Sequence, residues 1–392
     1  MLHGSPKDGD HGSCIRCSQI VYKSLFDSEF PFFFVKGIQL ALFRTYAIPT
    51  ISSLLNKTTS LSSKSSVTRR YSETWALFNE FALSDWGSER WVQAMGRTRG
   101  IHAAYRKSGK VREEDMLYTL AVVATQPVRL INSWEWRELT NAELCAIGTL
   151  YQALIEAFGI DWRKYLVDIT ANTSHDSGLR FFNSLYAWQN LYESQVMLHT
   201  PANHHLAATA IDLLLWGVPG KYLKQIVTRI LVVLMDNPLR TAVGYPAPTT
   251  MHQVGVKFIL ASRRLALKYL FLPRPQFLSS QPTQIDQSRT ILTSYIAEPY
   301  YVKPTIWNRW GPGAWWWWCL GHPLPTRKSQ HFIPEGYLIP DIGPRQGKTA
   351  AIQAREEQAV RIALGYEDMN EKDPEGIRPR CHIHGMTILP TR

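Results

Sequence analysis

Arg99, His102 and Arg106 stand at i, i+3 and i+7, a spacing that sets one imidazole and two guanidinium groups on a single helix face. An imidazole so placed can ligate iron, and nearby guanidinium groups can neutralise carboxylates. Together they suit a flat iron-bearing ring that carries two carboxylates. Gly96 and Gly100 lie four apart in the same stretch. Each glycine costs about 1 kcal/mol in a helix interior relative to alanine, so something bulky is expected to approach that backbone closely. Arg70 and Thr74 are also four apart, and Phe78 and Phe81 continue their face. A single helical histidine is more often packed or solvated than ligating, so these residues alone admit either reading.

The elements that must position these residues read as helices. Helical periodicity runs from about residue 19 to 272, and alternating strand patterns and hairpin turns are scarce. One or two helices are predicted over 19–46, ending near Ile48-Pro49, followed by a Ser/Thr/Lys loop over 57–68. A helix resumes at Arg70 and breaks at Ser84-Asp85-Trp86-Gly87. Further helices are predicted near 88–107, 113–125, 140–158, 180–198, 201–217, 222–235 and 250–270. Thr140 and Glu143 fit a capping box, and Pro127, Pro219 and Pro238 fall where helices should end. The predicted class is all-α, a single large helical domain with an irregular C-terminal extension. Its divisions are a disordered segment (1–18), the helical core (19–275), a Pro/Trp-rich extension packed on the core (276–345), and a charged helix with a disordered tail (346–392).

Composition narrows the function classes. The 392 residues are 45% hydrophobic and only 19% charged, which excludes disorder for the bulk of the chain. Five cysteines are too few for a disulfide-stapled scaffold. No run of roughly 18 uncharged apolar residues occurs, so no membrane span is predicted, and the polar first 18 residues contain no signal-peptide core. The net charge of +11 is uneven: twelve basic and four acidic residues lie between Arg44 and Arg112. No nucleic-acid module accompanies them, so nucleic acid is not the expected partner. A membrane surface or an acidic cofactor fits better. Fourteen Trp and 17 Tyr suit a large apolar ligand or a membrane interface, as do the four consecutive tryptophans Trp315–Trp318.

The stretches RRYSETWALFNEF (69–81), SERWVQAMGRTRGIHAAYRKSGK (88–110) and DMLYTL (115–120) resemble the fungal ER-bound oxygenases of the mycophenolic acid B type, which share a broader family with the bacterial latex clearing proteins. The likeness continues through 29–55, 186–219, 299–315 and 334–344, and covers roughly 19–345. It implies an all-helical, globin-like packing around a b-type heme. It also implies dioxygen as co-substrate and oxidative cleavage or oxidation of a C=C bond in a lipophilic, prenylated or terpenoid, secondary-metabolite intermediate. The family's Arg-x-x-His element matches Arg99-Gly100-Ile101-His102, which implies His102 as the proximal iron ligand. Its Arg-x-x-x-Thr element matches Arg70 and Thr74, implying the oxygen-binding side. Arg99 and Arg106 would then neutralise the heme carboxylates or anchor the His102 helix. Two departures stand out. Glu73 occupies the position before the threonine, where a lysine can occur in the family. The polar start replaces a usual hydrophobic anchor, so either the start is truncated or replaced, or the protein holds the ER membrane peripherally.

Other motifs carry less. Cys14-Ile15-Arg16-Cys17 is a lone CxxC, which Cys381, His382 and His384 could complete only if the termini met; free thiols are the expectation. Ser174-His175-Asp176 are adjacent, and a triad is assembled in space, so this reads as a loop. No Glu-x-x-His precedes any histidine, which removes a helical di-iron reading. His199, His204 and His205 at the Pro201 junction read as surface or supporting positions, and Asp115 as a cap. A non-catalytic helical protein that binds a lipophile or a membrane is the rival reading, and the oligomeric state is open.

Overall fold

A computed structural model describes residues 8–58, 64–166, 177–271, 283–284, 289–326, 332–343, 350–364, 382–383 and 386–387. In chain order its helices are α1 (Asp8–Ser24), α2 (Pro31–Thr45), α3 (Pro49–Thr58), α4 (Lys64–Leu83), α5 (Glu89–Lys107), α6 (Glu113–Trp134), α7 (Asn141–Ala157) and α8 (Ser177–Val196). There follow α9 (Pro201–Leu214), α10 (Lys221–Val233), α11 (Asn237–Ala242), α12 (Thr250–Tyr269), α13 (Ile306–Trp310), α14 (Pro312–Cys319) and α15 (Ala350–Ala363). Among the described residues, strand is confined to two antiparallel pairs of two-residue strands. The protein is an all-α single domain.

Local chemistry explains several boundaries. Thr140 caps α7 by accepting from the Glu143 N–H at 3.3 Å, and Glu143 reaches back to the Thr140 N–H at 2.7 Å, which completes the expected capping box. The break between α4 and α5 turns at Gly87, whose φ of 75° suits a residue without a Cβ. The helix expected to end near Ile48-Pro49 ends at Thr45, and Pro49 opens α3 at its first turn, where the missing N–H costs nothing. The helix expected to end before Pro238 ends at Val233, and Pro238 lies in the first turn of α11. One expectation is corrected: Pro127 does not end a helix but sits inside α6, because Val123, Val128 and Ile131 on either side are buried against the core and hold the helix through the lost hydrogen bond.

The first segment also differs from the expected disorder over 1–18, since α1 begins at Asp8. Its buried Ile15 and Tyr22 join the main core, and the Tyr22 hydroxyl lies 3.0 Å from that of Tyr151 on α7. Tertiary packing supplies what the polar, glycine-rich sequence lacks in helix propensity. Cys17 is disulfide-bonded, which overturns the expectation of a free thiol there. The acidic-basic tail after residue 364 lies outside the described residues, apart from the small strand pair.

The main apolar core is shared by α1, α2 and α4–α8. A charged network crosses it. Arg44 on α2 makes two hydrogen bonds to Glu193 on α8 and a third, at 2.7 Å, to Asp236 before α11. Tyr118 and Gln189 donate to the same Glu193 oxygen at 3.0 and 2.9 Å. Arg129 meets Asp236 at 2.9 Å. Helix-to-helix approach depends on small residues. A Cβ on Gly148 of α7 would collide with the Gly178 carbonyl of α8. Gly148→Ala is therefore expected to destabilise the protein by about 1–3 kcal/mol or more, read as a lower midpoint of urea unfolding; an unchanged midpoint would contradict this packing.

Candidate functional site

Helix α5 carries the candidate ligand. Ser88 caps it by accepting from the Trp91 N–H at 3.2 Å, and Glu89 at its start and Arg106 and Lys107 at its end complement the helix dipole. His102 is half-buried in the last third of this helix. Its Nδ1 lies 2.8 Å from the Thr98 carbonyl oxygen. A carbonyl only accepts, so Nδ1 carries the proton. Burial lowers the imidazole pKa below the ordinary histidine value; the Thr98 bond opposes this, and the charge of Arg106 adds to it. The ring is thus neutral at pH 7 with its lone pair on Nε2. That is the state a metal-ligating histidine adopts when its other nitrogen is held by a backbone carbonyl. The donor chemistry fits a heme iron.

The two arginines on this face are engaged with α7. Arg99 donates to the Ala157 carbonyl at 2.8 Å and to Glu356 of α15 at 3.0 Å. Arg106 donates to the Phe158 and Gly159 carbonyls at 3.0 and 2.8 Å. Both satisfy carbonyls at the negative end of α7. These hydrogen bonds join α5 to the end of α7. The expected bulky neighbour of Gly96 and Gly100 is also identified, and it is another helix. A Cβ on Gly96 would strike Glu357 of α15, and Gly100 faces Ile352. Both glycines face α15.

Arg70 and Thr74 are both exposed on α4. Neither side chain makes a hydrogen bond or ion pair among the described residues. Arg70 lies near Tyr46, whose pKa burial raises while the Arg70 charge opposes the rise. Helices α4 and α5 run antiparallel. Arg90 pairs with Glu80, the Trp91 indole donates to the Phe81 carbonyl at 3.0 Å, and farther from the turn Arg97 feels the charge of Glu73. At about 1.5 Å rise per residue, Arg70 and His102 fall at a similar level along this pair. No hydrogen bond joins His102 to Arg70 or Thr74 among the described residues.

Glu73 is turned elsewhere. It is buried, bonded to Arg69 at 2.9 Å, and near the Tyr301 hydroxyl. It belongs to a polar seam that fastens residues 289–326 and 332–343 over α4 and α5. In that seam Tyr337 donates to Glu80 at 2.6 Å, and buried Arg97 donates to the Ile342 carbonyl at 2.8 Å. The partners of Arg97, Glu73 and Glu80 in residues 289–326 and 332–343 could not be read from the sequence, because they lie more than 200 positions away.

A cavity of about 330 Å³ lies beside α4, lined in part by Phe26, Phe32, Val35, Trp75, Asn79 and Leu292. Its volume and largely apolar wall suit a small lipophilic ligand. Trp75 follows Thr74 in the chain and stacks on Phe78, with ring centroids 5.7 Å apart. His102 does not line this cavity.

The remaining motifs have structural partners. The Nδ1 atoms of His199 and His204 lie 3.2 and 2.9 Å from the carbonyls of Ala242 and Val243, which places them at the C-terminus of α11. Asp115 accepts from Thr50 and Tyr192 at 2.9 and 2.8 Å. Ser174-His175-Asp176 lie outside the described residues. Among the described residues no three His, Cys, Asp or Glu side chains converge as a protein-only metal site would require.

No family model matches the chain. Curated relatives do. The ER-bound oxygenase mpaB' of Penicillium brevicompactum is 39% identical over 331 residues, which span 83% of this chain and 77% of that protein. The chain belongs to the mpaB family of ER-bound oxygenases. The ER-bound oxygenase mpaB of the same organism is 36% identical over 322 residues, covering 81% and 74%. A third mpaB, from Penicillium roqueforti (strain FM164), is 38% identical over 227 residues, 57% of this chain and 74% of its own. Membership of the mpaB family supports an oxygenase, and so an oxidoreductase. Among the described residues no helix is long and apolar enough to cross a membrane.

Proposed function

We propose that this mpaB-family protein is a heme-dependent oxygenase of the ER membrane surface that cleaves or oxidises a C=C bond in a lipophilic prenylated or terpenoid intermediate. The observation that carries the proposal is the neutral His102, with Nδ1–H bound to Thr98 and Nε2 left as a donor. His102 holds the iron, and Thr98 fixes the tautomer and the ring orientation. When bound, heme supplies an iron centre able to take dioxygen. Arg99 and Arg106 keep the His102 helix docked on the end of α7.

Arg70 is a cation without a salt-bridge partner among the described residues, and Thr74 offers a hydroxyl one turn away. They serve as the groups that stabilise negative charge developing on oxygen and orient a proton. The apolar cavity beside Trp75 receives the prenyl chain.

Expression with heme supply tests the cofactor: pure, folded protein should show a Soret band, and its lack removes the reading. Arg70→Ala should keep the band while carbonyl product from a prenyl-bearing substrate falls on the order of 10²-fold. Unchanged turnover would remove Arg70 from the oxygen side.

A further inference from the structure

Helix α12 is amphipathic in an inverted sense. Its inward face is narrow: Val256 is buried, Leu260 packs on the main core, and Arg263 bonds Glu135 at 2.9 Å and lies 4.9 Å above the rings of Phe32 and Phe33. Its outward face is apolar. Met251, Val254, Phe258, Leu265 and Tyr269 form one stripe at helical spacing, each between 58% and 77% exposed. Lys257, Arg264 and Lys268 run along one edge of that stripe. No acidic residue occurs from 237 to 271.

The apolar surface continues onto neighbouring elements. Helix α10 packs on α12, and Tyr222 near its start is exposed. Helix α14 adjoins that start: the Trp316 indole donates to the Gly217 carbonyl at 3.2 Å, and Trp317 turns inward against Gly217. The other tryptophans of α13 and α14 face outward, with Trp307 80% and Trp318 63% exposed. Scattered exposed apolar residues need no explanation, but a basic-edged run of them across several helices does.

We propose that α12, with the adjoining α10 and the tryptophans of α13–α14, is an interfacial docking surface for an anionic phospholipid bilayer. This rests on the membrane association proposed above and names the surface that performs it. Charge decides the occupant. A second copy on the same face would set basic edge against basic edge, whereas anionic headgroups complement it and acyl chains receive Phe258 and Leu265. Tryptophan and tyrosine are the side chains favoured at the headgroup boundary.

The test uses the full chain with vesicles of phosphatidylcholine, with and without phosphatidylserine, in a sedimentation assay. The wild-type protein should sediment with the anionic vesicles and less with the neutral ones. The double variant Phe258→Glu, Leu265→Glu changes only exposed positions, should keep the wild-type circular dichroism, and should bind anionic vesicles at least roughly tenfold more weakly. Wild-type protein that binds neither vesicle would overturn the membrane reading together with this surface. A variant that binds as well as wild type would overturn the surface and leave membrane association standing. Lipid-free wild type that is dimeric, with a monomeric variant, would assign the face to a second copy and overturn the proposal.

Discussion

Replacing His102 by alanine is expected to abolish the Soret band and oxygenase turnover while leaving the fold intact. The ring is half-buried and makes a single hydrogen bond to its own helix, so its removal leaves no charge or distant group stranded. The loss should exceed the roughly 10–100-fold typical of disturbing a supporting contact, since the metal-bonding atom itself goes. Circular dichroism and the unfolding midpoint should stay near wild type. A full Soret band in the variant would remove His102 as ligand. The lowered pKa adds a pH signature. A proton competes for Nε2 only below the ordinary value of about 6.5, so heme should be retained as pH falls through that value and released on the acid side of it.

The second large effect concerns stability. Glu193→Ala should destabilise the protein by about 3–5 kcal/mol, because it leaves the buried Arg44 guanidinium facing a cavity and strips Tyr118 and Gln189 of their acceptor. Replacing both partners, as Arg44→Met with Glu193→Leu, should recover much of the loss, since an apolar pair strands no charge. Urea unfolding of both variants reads this out; a single variant within 1 kcal/mol of wild type would show that the pair is not supporting the core. The same network sets acid sensitivity. Burial raises the Asp236 pKa, but Arg44 and Arg129 more than reverse it, so the folded value lies below the ordinary one. A depressed carboxylate stabilises the fold above the unfolded pKa of about 3.9 and loses that contribution as pH falls through the folded value.

What the sequence made legible followed its local grammar. The capping box at Thr140, the break at Gly87 and the helical face carrying Arg99, His102 and Arg106 depend on residues within one or two turns. They are present as expected. Pro127 misled because a proline's effect on a helix depends on what packs around it. Gly96 was read correctly as a point of close approach, but its visitor, α15, lies some 260 positions away and could not be inferred from spacing. The arginines beside His102 show the same limit: their type suggested anions, while their partners are the carbonyls of α7, which no side-chain pattern announces.

The seating of α15 on α5 also orders events in time. Glu356 meets Arg99 across 257 positions, so the helix bearing His102 is made long before the helix that backs it. At about 5–20 residues per second, translation alone separates the two by roughly 13 to 50 s. Throughout that interval the nascent chain exposes the seat around Gly96 and Arg99, and α5 is held from one side only. The His102 helix therefore reaches its final rigidity only after α15 has been made and has docked.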